Sequence, residues 1–347
     1  MDSAFSPEVP DSPTPTYPAA LARRAYARVG LAFFLLFLVV QGSALLITVL
    51  LNNTWIVRAP WFSMLLSVVC IYLIGLPVLL AVLRGLPVLP PPPGEMKNGA
   101  FLCSALMVLG LGFTASMLGN YLIGILERLL GFPLVSNLDA ALEGNSTLVA
   151  AFFTVILAPI GEEFIFRKLL CDRTAAYGEW QAICLSAVFF MAFHASLQQA
   201  LYTLFVGGFL AFIYIRTGKL IYPILLHAVF NFFGSVPVLL LTEYAGLEEA
   251  LDQFLLSPSL EVLRTYVLPL LLYALHLLLL LTLSLVGIIL FFVNLKKMCR
   301  ATLPSPMPYG SRASIVCGNP GFWLFLGSSF FLIVLSVLSS ALQEFIP

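Results

Sequence analysis

Apolar residues run along this chain in long blocks parted by short polar breaks. Nine blocks read as candidate membrane-spanning helices: 29–51, 61–83, 100–126, 147–170, 181–196, 199–215, 220–241, 265–294 and 321–343. A helix needs about 20 apolar residues to cross a hydrocarbon layer about 30 Å thick. The fifth and sixth blocks fall short of that and are separated only by the LQQ step after His194, so they read as two spans or as a re-entrant pair. No long stretch alternates with the period of two that marks a membrane β-strand, and only helices or closed barrels satisfy the backbone in lipid. The pattern predicts an all-α, polytopic transmembrane helical bundle of eight or nine spans.

The polar breaks divide the chain. Residues 1–28 are Pro- and Ser-rich, with acids near the start and a basic cluster just before the first span, which is not the layout of a signal peptide. They are expected to form a disordered cytoplasmic tail. Residues 29–86 make an N-terminal two-helix membrane module, and PVLPPPPGEMKNG at 87–99 is a polyproline-like linker. The main helical core is 100–241. An acidic outer loop or amphipathic helix, with Glu243, Glu248, Glu249, Asp252 and Glu261, occupies 242–264, and C-terminal membrane helices fill 265–347. No internal repeat is visible.

Basic residues set the expected orientation. With the N-terminus cytoplasmic, only Arg58, Arg128 and Arg264 of the 17 lysines and arginines fall on the outer side.

Composition narrows the function class. The chain is 61% hydrophobic and 10% charged over 347 residues, which excludes an ordinary soluble domain. Net charge is zero and the basic residues are dispersed, so nucleic acid is not an expected partner. The six cysteines are scattered without a CxxC pair and are expected to be free thiols.

Against that background, three polar clusters inside apolar helices stand out. An ionised group at bilayer depth costs about 2.5–3.5 kcal/mol on insertion scales, which makes such residues functional candidates. The first cluster is Glu162-Glu163-x-x-x-Arg167. Residues four apart share a helix face and adjacent ones point about 100° apart, so Glu163 pairs with Arg167 and Glu162 is left over. The second is Phe190-x-x-x-His194, where the ring sits one turn before the imidazole. The third is His227-x-x-x-Asn231, an imidazole and an amide side by side. Each cluster alone has a bland reading: interface charge neutralisation, a packed histidine, or an interhelical hydrogen bond. Together they supply a base, its orienter or ligand, and oxyanion donors, the parts of a hydrolase. The third histidine, His276, has no polar partner at helical spacing and reads as structural. No HExxH, GxSxG, paired intramembrane aspartates or P-loop is present.

EExxxR, FxxxH and HxxxN, in this order on successive helices, resemble the CPBP (Abi) intramembrane proteases. These are relatives of the type II CAAX prenyl endopeptidases and of bacterial Abi proteins linked to bacteriocin processing or self-immunity. The resemblance covers about residues 100–241. It implies that Glu162, with His194, activates water and that His227 and Asn231 bind the oxyanion. Glu163 and Arg167 would hold the helix of the first motif, and Phe190 would support the imidazole. The family is often labelled metalloprotease, so zinc on Glu162, His194 and His227 is the alternative to a metal-free site.

The expected activity is therefore intramembrane cleavage of a peptide bond in a membrane-associated or lipidated peptide that enters from the cytoplasmic side. A bacterial plasma membrane is the expected location, with lipids as the surrounding partners. The rivals are a noncatalytic scaffold or bacteriocin self-immunity protein of the same fold, and a proton-coupled transporter. Against the transporter stands the lack of repeated halves.

Overall fold

The computed structural model describes residues 19–301 and 305–345, and among them the regular structure is helical. Eight helices are long and apolar enough to cross a membrane: α1 (Ala19–Leu51), α2 (Phe62–Leu83), α3 (Asn98–Leu130), α5 (Thr147–Tyr177), α7 (Leu197–Thr217), α8 (Ile221–Ala245), α11 (Val267–Ala301) and α13 (Pro320–Phe345). Between them lie α4 (Asn137–Leu142), α6 (Glu179–His194), α9 (Leu247–Leu256), α10 (Leu260–Thr265) and α12 (Arg312–Cys317). The bundle is thus a multi-pass helical membrane fold.

The structure sharpens three boundaries. Residues 1–18 of the expected tail lie outside the described residues, but α1 already begins at Ala19 and carries Arg23, Arg24 and Arg28. AALARRAYAR is rich in good helix formers, and its apolar face has somewhere to go. Ala22, Ala25 and Tyr26 are buried, and the Tyr26 hydroxyl donates to the Thr174 carbonyl at 3.4 Å. The block at 181–196, read as a short span or one arm of a re-entrant pair, is α6, whose 16 residues reach about 24 Å, short of the hydrocarbon thickness. The acidic segment folds into α9 and α10.

α3 and α7 are the most enclosed of the long helices. α1 packs on α13 as well as on α2, so the N-terminal pair is built into the bundle. Aromatic rings join these helices around Phe33 of α1, which lies 5.3 Å from Phe166 of α5, 5.2 Å from Phe189 of α6 and 5.9 Å from Phe325 of α13 between ring centroids. The Pro-rich linker is docked rather than free. Its backbone N–H groups donate from Leu89 to the Asp172 carbonyl, from Gly94 to the Thr217 carbonyl, and from Met96 to the Tyr222 hydroxyl, at 2.7, 2.7 and 3.0 Å. All six cysteines are unpaired, as expected.

Hydrophobic burial does not drive helices together in lipid, so close backbone approach has to. α3 and α11 meet at Gly110 and Gly287, where a β-carbon on either would run into the backbone of the other helix. α1 and α13 meet in the same way at Gly30 and Gly321. Gly287→Leu is expected to force α3 and α11 apart and to cost about 1–3 kcal/mol of stability. Thermal unfolding in detergent should show a lowered midpoint for it and an unchanged one for Gly327→Leu, where nothing lies within 4 Å of a β-carbon.

Candidate active site

The three clusters converge at one end of a cavity of about 770 Å³ whose lining includes Glu162, Phe190, His194, His227 and Asn231. The two acids sit in a distorted stretch of α5. A short α-helical segment, Ala158–Glu163, is held between π-helical segments at Phe152–Leu157 and Phe164–Cys171. π-helical turns recur at functional sites because the extra residue re-aims the side chains beyond it.

Glu163 turns away from the cavity and is fully buried. Its Oε2 lies 2.8 Å from the Arg167 Nε, an ion pair of bent geometry, and its Oε1 accepts from the Arg167 guanidinium at 3.3 Å. Arg167, also fully buried, donates to the Ser186 hydroxyl on α6 at 2.6 Å and lies 5.3 Å above the Phe190 ring. Glu163 Oε1 is also 3.0 Å from Nδ1 of His227 on α8. One carboxylate therefore ties α5 to itself and to α8, and its arginine ties α5 to α6. This is the Glu163–Arg167 pairing that the i, i+4 spacing predicts.

Glu162 has no such partner. Its side chain is 17% exposed, and its Oε2 is buried without a hydrogen bond, 3.9 Å from Nε2 of His194 and 4.0 Å from Nε2 of His227. Both rings are oriented from behind. His194 Nδ1 lies 2.7 Å from the Phe190 carbonyl, which can only accept, so Nδ1 carries the proton and a neutral ring presents a bare Nε2 to Glu162. His227 Nδ1 faces the ionised Glu163 and donates to it by the same logic. Phe190 packs edge-on against both imidazoles, with centroids 4.8 and 5.8 Å away, and α7 makes room for it at Gly207.

His194 is the last helical residue of α6. The chain turns at Ala195, which takes a left-handed conformation, φ 44° and ψ 41°, that costs a residue with a β-carbon about 1–2 kcal/mol. Strain of this kind clusters at functional sites. The Ser329 hydroxyl of α13 steadies the turn by donating to the Ala192 carbonyl at 2.6 Å. Asn231, one turn beyond His227, donates from Nδ2 to the Thr154 carbonyl at 2.8 Å, which fixes its amide at the cavity edge.

The separations bear on what lies between these groups. Two zinc ligands about 2.1 Å from the metal at a tetrahedral angle are about 3.4 Å apart. Atoms 3.9–4.0 Å apart would hold such a zinc at an angle of about 140°, well wider than tetrahedral. The same atoms are well spaced to share one water at about 2.8 Å from each. Among the described residues, no three His, Cys, Asp or Glu side chains are grouped as a metal site.

Several contributors were not read from the sequence. Tyr72, in a π-helical stretch of α2, lays its ring where a β-carbon would stand on Gly161, beside Glu162. A glycine inside APIGEEF was the available signal. Ser186 and the Thr154 carbonyl carried none. His276, read as structural, lies on the wall of the same cavity.

Arg167→Ala would leave Glu163 charged and buried with only His227 for company, a loss of about 3–5 kcal/mol. Glu162→Gln removes no ion pair of the buried set and should stay within about 1 kcal/mol of wild type. Thermal unfolding of both variants in detergent checks the contrast.

Residues 144–233 match the family model described as type II CAAX prenyl endopeptidase Rce1-like. No curated protein and no solved structure matches the chain. The matched segment contains Glu162, Phe190, His194, His227 and Asn231, which line the end of the cavity, and Glu163 and Arg167, which are buried behind it. With this constellation inside a multi-pass helical bundle, residues 144–233 support a likeness to the CPBP/CAAX protease family of membrane peptidases.

Proposed function

We propose that the protein is an intramembrane endopeptidase that hydrolyses a peptide bond in a membrane-associated or lipidated peptide. The observation that carries this reading is the convergence of the Glu162 carboxylate and two oriented imidazoles, at a spacing that suits one water, on the wall of a mostly apolar cavity. In the proposed reaction, a water held between Glu162 and His194 gives one proton to Glu162 as its oxygen bonds to the scissile carbonyl carbon. The carbonyl electrons move onto oxygen, and the resulting oxyanion accepts from the free Nδ2–H of Asn231. His227 contributes a second donor when its Nε2 is protonated, with Glu163 balancing the imidazolium through Nδ1. Collapse of the tetrahedral intermediate expels the amine, which takes the proton held by Glu162. Oriented donors of this kind are worth about 2.7–4 kcal/mol each. General-base assistance adds about 10²–10⁴-fold.

The donor set of Glu162, His194 and His227 is chemically suited to zinc, which would supply Lewis acidity. The spacing favours the metal-free version. A substrate entering from the side that holds most of the lysines and arginines completes the proposal.

Cleavage of a fluorogenic peptide by purified protein tests it. Glu162→Gln and His194→Ala are each expected to lower kcat at least 100-fold with an unchanged unfolding midpoint, and wild-type rates from Glu162→Gln would refute the assignment. Elemental analysis beside chelator treatment decides the metal question. Full activity without bound metal is expected, whereas loss on chelation with recovery on added zinc would replace the metal-free version.

A further inference from the structure

His276 belongs to α11, outside the segment that matches the family model. It is 8% exposed, lines the same cavity as Glu162 and His227, and its Nε2 is buried without a hydrogen-bond partner. A buried imidazole nitrogen left unpaired costs stability, so a lasting one at a cavity wall points to a partner that arrives with the ligand. Its distance from the reacting groups is set by the packing. α3 and α11 cross at Gly110 and Gly287, and beyond that crossing the cavity is lined by 113–120 of α3 and 273–281 of α11, so the two helices run antiparallel. The Phe230 ring, one turn after His227, packs onto Gly112, which puts His227 near the level of the crossing. Eleven residues from Gly287 back to His276 rise about 16 Å along α11. His276 therefore stands at the far end of the cavity, about five extended residues from the catalytic groups at roughly 3.3 Å each.

The lining narrows the class of the partner. Among the described residues, no lysine or arginine faces the cavity, and Leu277 and Leu280 flank His276. A neutral imidazole there offers one N–H donor to an oxygen acceptor. Resting on the endopeptidase reading of the site, we propose that His276 binds an oxygen acceptor of the bound peptide, a main-chain carbonyl or a C-terminal carboxylate, about five residues from the bond that is cut. It is a substrate-binding residue that sets which peptides, and which register, reach Glu162.

The test uses the full chain carrying Glu162→Gln, in detergent micelles, and a fluorescein-labelled pool of mixed-sequence apolar decapeptides with free C-terminal carboxylates, read by fluorescence anisotropy. Adding His276→Leu is expected to weaken binding at least five-fold, and adding His276→Gln, which keeps a donor, to change it less than two-fold. The same pool with carboxamide ends separates the two acceptors. A terminal carboxylate is the acceptor if amidation alone costs five-fold or more, and a main-chain carbonyl is the acceptor if both pools bind alike and both weaken with His276→Leu. Equal binding with and without His276→Leu, or no binding at all, overturns the proposal. In the otherwise wild-type enzyme, His276→Leu should raise KM at least five-fold with kcat within two-fold, whereas a merely structural role would lower kcat and the unfolding midpoint together. His276-dependent binding without any cleavage by the wild-type chain would refute the endopeptidase reading and leave the peptide contact standing.

Discussion

A guanidinium with no exposure to solvent is the constraint around which the centre of this protein is built. Arg167 sits inside a membrane bundle, where an unpaired charge costs several kcal/mol even after relaxation. Glu163 neutralises it, Ser186 accepts from it, and the Phe190 ring faces it. Those partners come from two helices, and His227, bonded to the same carboxylate, brings in a third. The placement of α5, α6 and α8 relative to one another is thus dictated by one buried charge that has to be answered.

This division of labour explains why the two acids are adjacent. Glu163 spends its charge on structure, and Glu162, about 100° further round the helix, is kept free of that network. Its freedom is useful only because the imidazoles opposite it cannot spin. One is held by the Phe190 carbonyl and the other by Glu163, so each presents a defined nitrogen to Glu162. The phenylalanine that supplies that carbonyl also packs against both rings, and Gly207 on α7 leaves the space it occupies.

Much of this was legible from residue order. Hydrophobic blocks gave the spanning helices, because span length is fixed by the bilayer. Helical spacing gave the Glu163–Arg167 pair and left Glu162 over, because i, i+4 neighbours meet on any α-helix and nearly so across a π-helical turn. The convergence of Glu162, His194 and His227 came only from family resemblance. Periodicity says which residues share a face and nothing about which faces meet. The start of α1 was missed because arginines look like solvent-exposed tail, although Ala22, Ala25 and Tyr26 beside them are buried and Tyr26 bonds to α5. The shortness of α6 was legible in its block, but its end was not, because that is set by a strained turn at Ala195, a residue with no turn-forming signature. Tyr72 and His276 were out of reach for a simpler reason: Tyr72 packs on Gly161 some 90 residues away, and His276 reaches the cavity only through the packing of α11.

The π-helical segment at Phe152–Leu157 has a further bearing on how the site tolerates change in chain length. Helical register is cumulative, and every residue removed upstream turns the rest of the helix by about 100°. With one residue fewer between 152 and 157, Glu163 would inherit the place of Glu162 and Phe164 that of Glu163. Lys168 would then stand where Arg167 does and meet a benzyl ring in the bundle interior. A single-codon deletion, without touching any reacting side chain, would leave the buried position without its carboxylate. The widened turn thus works as a phase setting for the helix.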